Sequence, residues 1–284
     1  MMKILVIGKY GQLASCLQKE CVQYPDYQFV FAGRKEFPLD DLQQIFLRLD
    51  NISPDIIINT AAYTQVDKAE NEPEVADLIN HQSVAKLAEW CKINRKKLVQ
   101  ISTDYVFDGT ANKPIAETEQ THPINVYGKS KRQGEQVVMC SEIDFMIIRT
   151  SWLYSAFGHN FVQTMRRLMA EKTEINVVND QFGSPTNAHD LARHLLLIIL
   201  TKKWQSGVYH YTNSGMATWF DFATEIKQLT NAKTIVNQVD STAFPTLATR
   251  PKYSVLSTDK IQKTFAISIR DWRDSLCHFW QNQI

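Results

Sequence analysis

The 284-residue sequence lacks any long hydrophobic run, and its longest unbroken apolar stretch spans only Leu195 to Leu200. A helix that crosses a bilayer needs ~20 apolar residues, so a membrane-spanning role is not expected. An excess of either charge is also missing: 31 Lys and Arg stand against 30 Asp and Glu, a formal +1. Without a basic surplus, neither a nucleic-acid backbone nor an anionic membrane surface is an expected partner. Cysteine is scarce, and its five positions, Cys16, Cys21, Cys91, Cys140 and Cys277, are odd in number and scattered. They show neither the paired spacing of a zinc site nor a redox CxxC, so idle or buried thiols are expected. The seven histidines have no ligand spacing either, and no metal is expected. There is no repeat, low-complexity tract or Gly/Ser linker. The opening MMKILVIGKYG has no charged leader, apolar core and cleavage site, which predicts a cytoplasmic protein with a small-molecule partner.

What is present is an alternation of short apolar runs with longer helical patterns, the mark of βαβ units and a mostly parallel sheet. Strands are predicted at Lys3 to Ile7, Gln28 to Ala32, Asp55 to Asn59, Lys97 to Ile101 and Phe145 to Arg149. They are rich in Val, Ile, Leu and Phe with little alternation, as in strands covered on both faces. Helices are predicted at about Gln12 to Cys21, Leu39 to Leu49, Pro73 to Asn94 and Asn125 to Cys140. Beyond Thr150 the pattern gives a helix at Asn160 to Lys172, a strand at Ile175 to Asn179, a helix at Ala188 to Leu200 and a strand at Val208 to Thr212. Helices at Thr218 to Leu229 and Arg270 to Gln281 then bracket a loop-rich segment, Asp240 to Ser257.

The first predicted strand runs into Gly8-Lys9-Tyr10-Gly11-Gln12-Leu13-Ala14, a glycine turn that opens a helix. Such a turn lets the backbone approach a pyrophosphate, while the helix start offers free N–H groups and a positive dipole. Gly8, Tyr10, Gly11, Gln12 and Leu13 are therefore candidate dinucleotide-binding residues. At the end of the second strand, Phe31-Ala32-Gly33-Arg34 has no carboxylate where NAD-specific enzymes often carry one. Gly33 leaves room for a phosphate and Arg34 is suited to clamp it, which predicts NADPH as the preferred cofactor with NADH also accepted. Asp40 joins Arg34 among the cofactor candidates. Small residues after the third strand, Ala61, Ala62 and Thr64, leave the dinucleotide a path. The acidic cluster Asp67, Glu70, Glu72, Glu74 and Asp77 is read as a solvated turn favoured by a helix dipole rather than as a metal site.

Two segments carry chemistry. Ile101-Ser102-Thr103-Asp104-Tyr105 leaves the fourth strand, and Tyr127-Gly128-Lys129-Ser130-Lys131 opens the next helix. Residues four apart on a helix share a face. A phenol with an ordinary pKa near 10 becomes a better acid/base when an ammonium nearby lowers it. Tyr127 is thus the expected proton donor, Lys131 its tuner and the ligand of a nicotinamide ribose, and Thr103 the hydrogen-bond donor to a carbonyl oxygen acquiring charge.

Together with NTAAYTQVDKAE, STDYVFDG, NVYGKSK, RTSWLY, GHNFV, NDQFGSPT, GVYHYTNSG and the late Arg250-Pro251, these segments resemble the extended short-chain dehydrogenase/reductase family over nearly the whole chain. Within it the likeness is to the branch that reduces nucleotide-linked 4-keto sugars. It implies an α/β fold: a Rossmann-type, doubly wound parallel sheet over 1–152 with part of 175–200 interleaved, and a smaller, mixed α/β substrate-binding cap over 153–284. It also implies reduction of the 4-keto group of a dTDP-linked 4-keto-6-deoxyhexose, dTDP-4-dehydro-β-L-rhamnose, to dTDP-L-rhamnose. Val66, Thr103, Asp104, Tyr105 and Trp152 would lie against the sugar, and Arg250 would meet the nucleotide phosphates. Some relatives hold magnesium at a dimer interface through glutamates; the corresponding positions here are Cys16 and His189, so that metal-linked dimer is not expected, although a homodimer is allowed. A sugar-nucleotide 4,6-dehydratase is disfavoured because Thr103-Asp104 is followed by Tyr105, not by the second carboxylate such chemistry uses. Reductases that set the opposite configuration at carbon four stay open, as does a non-catalytic dinucleotide-binding subunit like that of methionine adenosyltransferase.

Overall fold

The computed structural model describes residues 1–201 and 204–283, the side chain of the last of these excepted. Five of its strands, β1 (Lys3–Ile7), β2 (Gln28–Ala32), β3 (Ile56–Asn59), β4 (Lys97–Thr103) and β5 (Phe145–Thr150), join strand Gly207–His210 in one parallel sheet. Its spatial order is Gly207–His210, β5, β4, β3, β1, β2. The order reverses at β1, and a ligand crevice is expected beyond the carboxyl ends of β1 and β3.

Alternating side chains on these strands point to opposite faces. Ile4, Val6, Ile56, Ile58, Val99, Met146 and Ile148 enter one buried cluster with α1 (Gln12–Glu20) and the helix Ala188–Leu200. Leu5, Ile7, Ile57, Leu98 and Ile147 enter a second, under the helices Ile45–Ile52 and Ser83–Asn94. Both faces are therefore dry, which explains the continuous apolar runs. Each fully buried aliphatic side chain contributes about 1.5–3 kcal/mol, so the sheet is the rigid part on which the site is mounted.

A third cluster builds the carboxyl-terminal part. The helices Phe161–Glu171, Trp219–Thr230 and Trp272–Gln283 pack Val162, Phe222, Ile226, Trp272 and Phe279 together. Strand Glu174–Val178 pairs there with Ile235–Val239 in parallel and not with the large sheet. Sequence reading missed Ile235–Val239 and the helix Asp259–Phe265. It also started the second helix too early, since Leu39–Gln44 forms turns before Ile45. The expected helix Pro73 to Asn94 is present as Pro73–Asp77 and Ser83–Asn94 joined by a π turn at Leu78–Gln82.

Candidate active site

A cleft of about 1010 Å³ opens at the carboxyl ends of the strands and runs from Arg34 to Trp219. Its cofactor end starts at Gly8, which has φ +102 and would bring a Cβ to 2.7 Å from Thr60 Oγ1 and 3.0 Å from Ala61 N. Only glycine fits between the ends of β1 and β3. Gly11 heads α1 with no side-chain cap, leaving first-turn N–H groups available to an anion. Gly8, Tyr10, Gly11, Gln12, Leu13, Ala61, Ala62 and Thr64 all line this end. The absent cap and the backbone cradle fit a pyrophosphate.

Arg34 and Asp40 line the rim as well, but they meet each other, Nη2 to Oδ2 at 2.6 Å, with the Arg34 side chain 80% exposed. The strand end itself carries no carboxylate, as read from the sequence, and the turn after Pro38 brings the candidate Asp40 beside Arg34. A second carboxylate, Glu36, accepts the Gly33 N–H at 2.9 Å.

Thr103, Asp104, Tyr105, Tyr127 and Lys131 converge in the middle. The helix Val126–Met139 begins with Asn125 as cap, its Oδ1 accepting from Gly128 N at 2.7 Å. A side chain at position 128 would run into the Tyr105 carbonyl, so glycine lets the helix start lie flat against the turn after β4. That contact sets the Tyr127 ring edge-on to Tyr105, centroids 5.7 Å apart. Thr103 Oγ1 donates to Asp104 Oδ1 at 3.0 Å and accepts from Tyr105 N at 3.2 Å.

The electrostatics differ from the sequence expectation in one respect. Burial pushes the Tyr127 phenol up to about 12, with the Thr103 side chain pulling the other way. The Lys131 ammonium does not reverse this, because its Nζ donates to the Ile101 carbonyl at 2.7 Å. Burial also brings Lys131 down to about 8, with Glu135 opposing. Glu135 is itself gripped by Arg149 through two bonds of 2.8 and 2.7 Å. Burial raises Asp104 to about 6, with the Ser254 and Thr103 hydroxyls pulling the other way.

At the far end Val66 and Trp152 line the cleft as expected. Trp152 sits in the left-handed region, φ +46, with its indole stacked on Trp219 at 3.5 Å and 8°. Sequence reasoning missed Trp219, Lys68 and His159, all of which line the same cleft. Lys68 and His159 fall within the segments NTAAYTQVDKAE and GHNFV, but their residue types alone gave them no role; Trp219 lies in no such segment, and only the fold brings it in. Arg250 is not among the lining residues. Its guanidinium forks onto Asp67, at 3.1 and 2.6 Å, and donates to Ala248 O at 3.3 Å. The acidic cluster lies at the surface, with Asp67 and Glu74 in the first turns of short helices as expected, and beyond that expectation Asp67 holds Arg250, Glu70 Oε1 accepts from Val126 N at 2.9 Å, and Glu72 pairs with Lys68 and the Tyr63 hydroxyl. Cys16 and His189 lie buried in and beside the first cluster. Among the described residues no group of three or more His, Cys, Asp or Glu is placed to hold a metal, and no helix is long and apolar enough to cross a membrane.

A switch-point crevice with a Thr-Tyr-Lys set at its middle is the layout of a dinucleotide-dependent oxidoreductase of the extended short-chain dehydrogenase/reductase type. The chain belongs to the RmlD substrate binding domain family, which it matches over residues 2–284. It is 38% identical over 282 residues to the dTDP-4-dehydrorhamnose reductase of Salmonella typhimurium, covering 95% of this chain and 94% of the relative. Among solved structures, the Bacillus anthracis dTDP-4-dehydrorhamnose reductase in complex with NADP superposes with TM-score 0.95 at 38% identity, covering 100% of both chains. The Clostridium acetobutylicum dTDP-4-dehydrorhamnose reductase gives 0.94 at 37% identity over 99% of both.

Proposed function

We propose that the protein reduces the 4-keto group of dTDP-4-dehydro-β-L-rhamnose to dTDP-L-rhamnose with NADPH, the last step in making that activated sugar. The carrying observation is the meeting of Thr103, Tyr127 and Lys131 midway between a pyrophosphate-shaped backbone cradle and an aromatic wall. NADPH, when bound, supplies the hydride. Tyr127 gives the proton to the carbonyl oxygen; a phenol held at about 12 is fully protonated at neutral pH, the state a donor needs in the reductive direction. The Thr103 hydroxyl turns from Asp104 onto the same oxygen and stabilises its developing charge. Lys131 holds the nicotinamide ribose.

Gly8, Gly11, Gln12 and Leu13 offer backbone to the pyrophosphate, with Tyr10, Ala61, Ala62 and Thr64 along the dinucleotide. Arg34, steadied by Asp40, is placed for the 2′-phosphate. On the sugar side, Asp104, Val66, Tyr105 and Trp152 form the wall. Arg250 acts through Asp67, fixing the loop above the sugar rather than binding phosphate. The same reading gives the cofactor part to 1–152, with Ala188–Leu200 returned to it, and the cap to the rest of 153–284. It places the enzyme in the cytoplasm.

The test is to mix purified protein, NADPH and enzymatically prepared dTDP-4-dehydrorhamnose and follow NADPH absorbance. Loss only when all three are present is expected. Tight NADPH binding with no consumption would instead favour a non-catalytic dinucleotide-binding subunit.

A further inference from the structure

Gln12 opens α1 inside the glycine turn, yet its side chain is directed away from the cradle that its backbone helps to form. Its Oε1 accepts from Ser155 Oγ and from Asn160 Nδ2, each at 3.0 Å, and its Nε2 donates to the Leu153 carbonyl at 3.3 Å. Ser155 and Asn160 are both buried. Asn160 also caps the helix Phe161–Glu171, its Oδ1 accepting from Gln163 N at 3.1 Å. The amide thus ties the first turn of the cofactor half to a loop, 153–160, that leads into the cap. The same loop carries Gly158 and His159 into the lining of the cleft. An amide is suited to this place because one side chain must both accept two bonds and give one.

We propose that Gln12 is a positioning residue whose side chain holds loop 153–160 against the glycine turn. The loop then forms the second wall of the pyrophosphate site, with the α1 backbone N–H groups on one side and His159 on the other. This deepens the dinucleotide reading of the turn and rests on it. Because the diphosphate is common to NADPH and NADH, losing the tie weakens both equally, unlike any change at Arg34.

The experiment is nucleotide titration by fluorescence on Gln12→Met, which keeps the stem volume but removes all three bonds, together with Ser155→Ala and the double variant. Gln12→Met is expected to raise Kd for NADPH and for NADH by the same factor, about tenfold, as suits the net loss of these bonds. The cofactor KM should rise with it, by more than kcat falls. Ser155→Ala should lose less, and because the two share the Ser155–Gln12 bond while Ser155 Oγ also bonds to Phe157 N and O, the double variant should lose less than the sum of the two single losses. Native affinity in Gln12→Met, a loss confined to NADPH, or full additivity with Ser155→Ala overturns the proposal. If Gln12→Met does not fold, Ser155→Ala with native affinity for both nucleotides overturns it as well. A native protein that binds neither nucleotide sinks the dinucleotide reading itself, a result distinct from failure of the tie.

Discussion

The core of the cofactor end is one continuous glycine turn, to which the ends of neighbouring strands add, whereas the sugar end is assembled from residues that only folding brings together. Gly8 to Leu13 act as one turn on β1, and Tyr127 and Lys131 are one helical turn apart. By contrast Trp152 is stacked on Trp219, and Arg250 is tied to Asp67 across 183 positions. The first kind of site is set by backbone geometry on a rigid sheet, so the turn itself keeps its place when one side chain is changed, and the Gln12 tie bears on the loop packed against it. The second kind depends on packing between loops, so a single truncation disturbs its neighbours as well.

The largest expected effect lies where the two ends meet. Tyr127→Phe should lower kcat by ~10²-fold or more while NADPH still binds, the usual scale for a positioned proton donor. Stopped-flow or steady-state rates beside a cofactor titration check this, and near-native turnover removes Tyr127 from its role.

The pH profile comes next. Burial depresses Lys131 to about 8, so its ammonium is intact below that pH and is lost as pH rises through it. Burial raises Asp104 to about 6, so its carboxylate is present above that pH and is lost as pH falls through it. The expected kcat/KM is flat near pH 7 and falls about tenfold per unit on each side, because kcat/KM reports the free enzyme's groups. Asp104→Asn should abolish the acid limb; an unchanged limb in that variant assigns it elsewhere.

Truncating the wall sharpens the contrast. Trp219→Ala removes the stacking partner of Trp152, a contact of about 0.5–1.5 kcal/mol, and should raise the sugar KM by up to about tenfold with little change in NADPH affinity. An equal loss for both ligands means the two ends are not separable. The smallest effect is expected at the rim. Arg34→Ala should raise the NADPH KM only a few-fold and leave NADH alone, because the side chain is 80% exposed and already shares its charge with Asp40.

The same contrast decides what was legible in the amino-acid sequence. The five strands that begin the sheet, the glycine turn and the Tyr-x-x-x-Lys helix are local patterns, and each lies within a residue or two of its expected place. The helix start at Ile45 was misplaced because the turns after Pro38 carry no strong stop signal. Strand Ile235–Val239 went unseen because its partner, Glu174–Val178, lies far away in the chain and none of its five residues is fully buried, which weakens the apolar signal. Residue types alone did not reveal that Arg34, Arg250 and the acidic cluster are paired with one another or with backbone. Nor did they reveal that desolvation, and not the Lys131 charge, governs the Tyr127 phenol. Burial is a property of the whole packed cleft.

The central claim is that hydride and proton are delivered across the 4-keto group of one particular sugar. It is tested most directly by reaction with cofactor deuterated at the transferring position, followed by NMR of the product. The account predicts dTDP-L-rhamnose with deuterium on carbon four; a talo-configured product, deuterium at another carbon, or unlabelled product would contradict it.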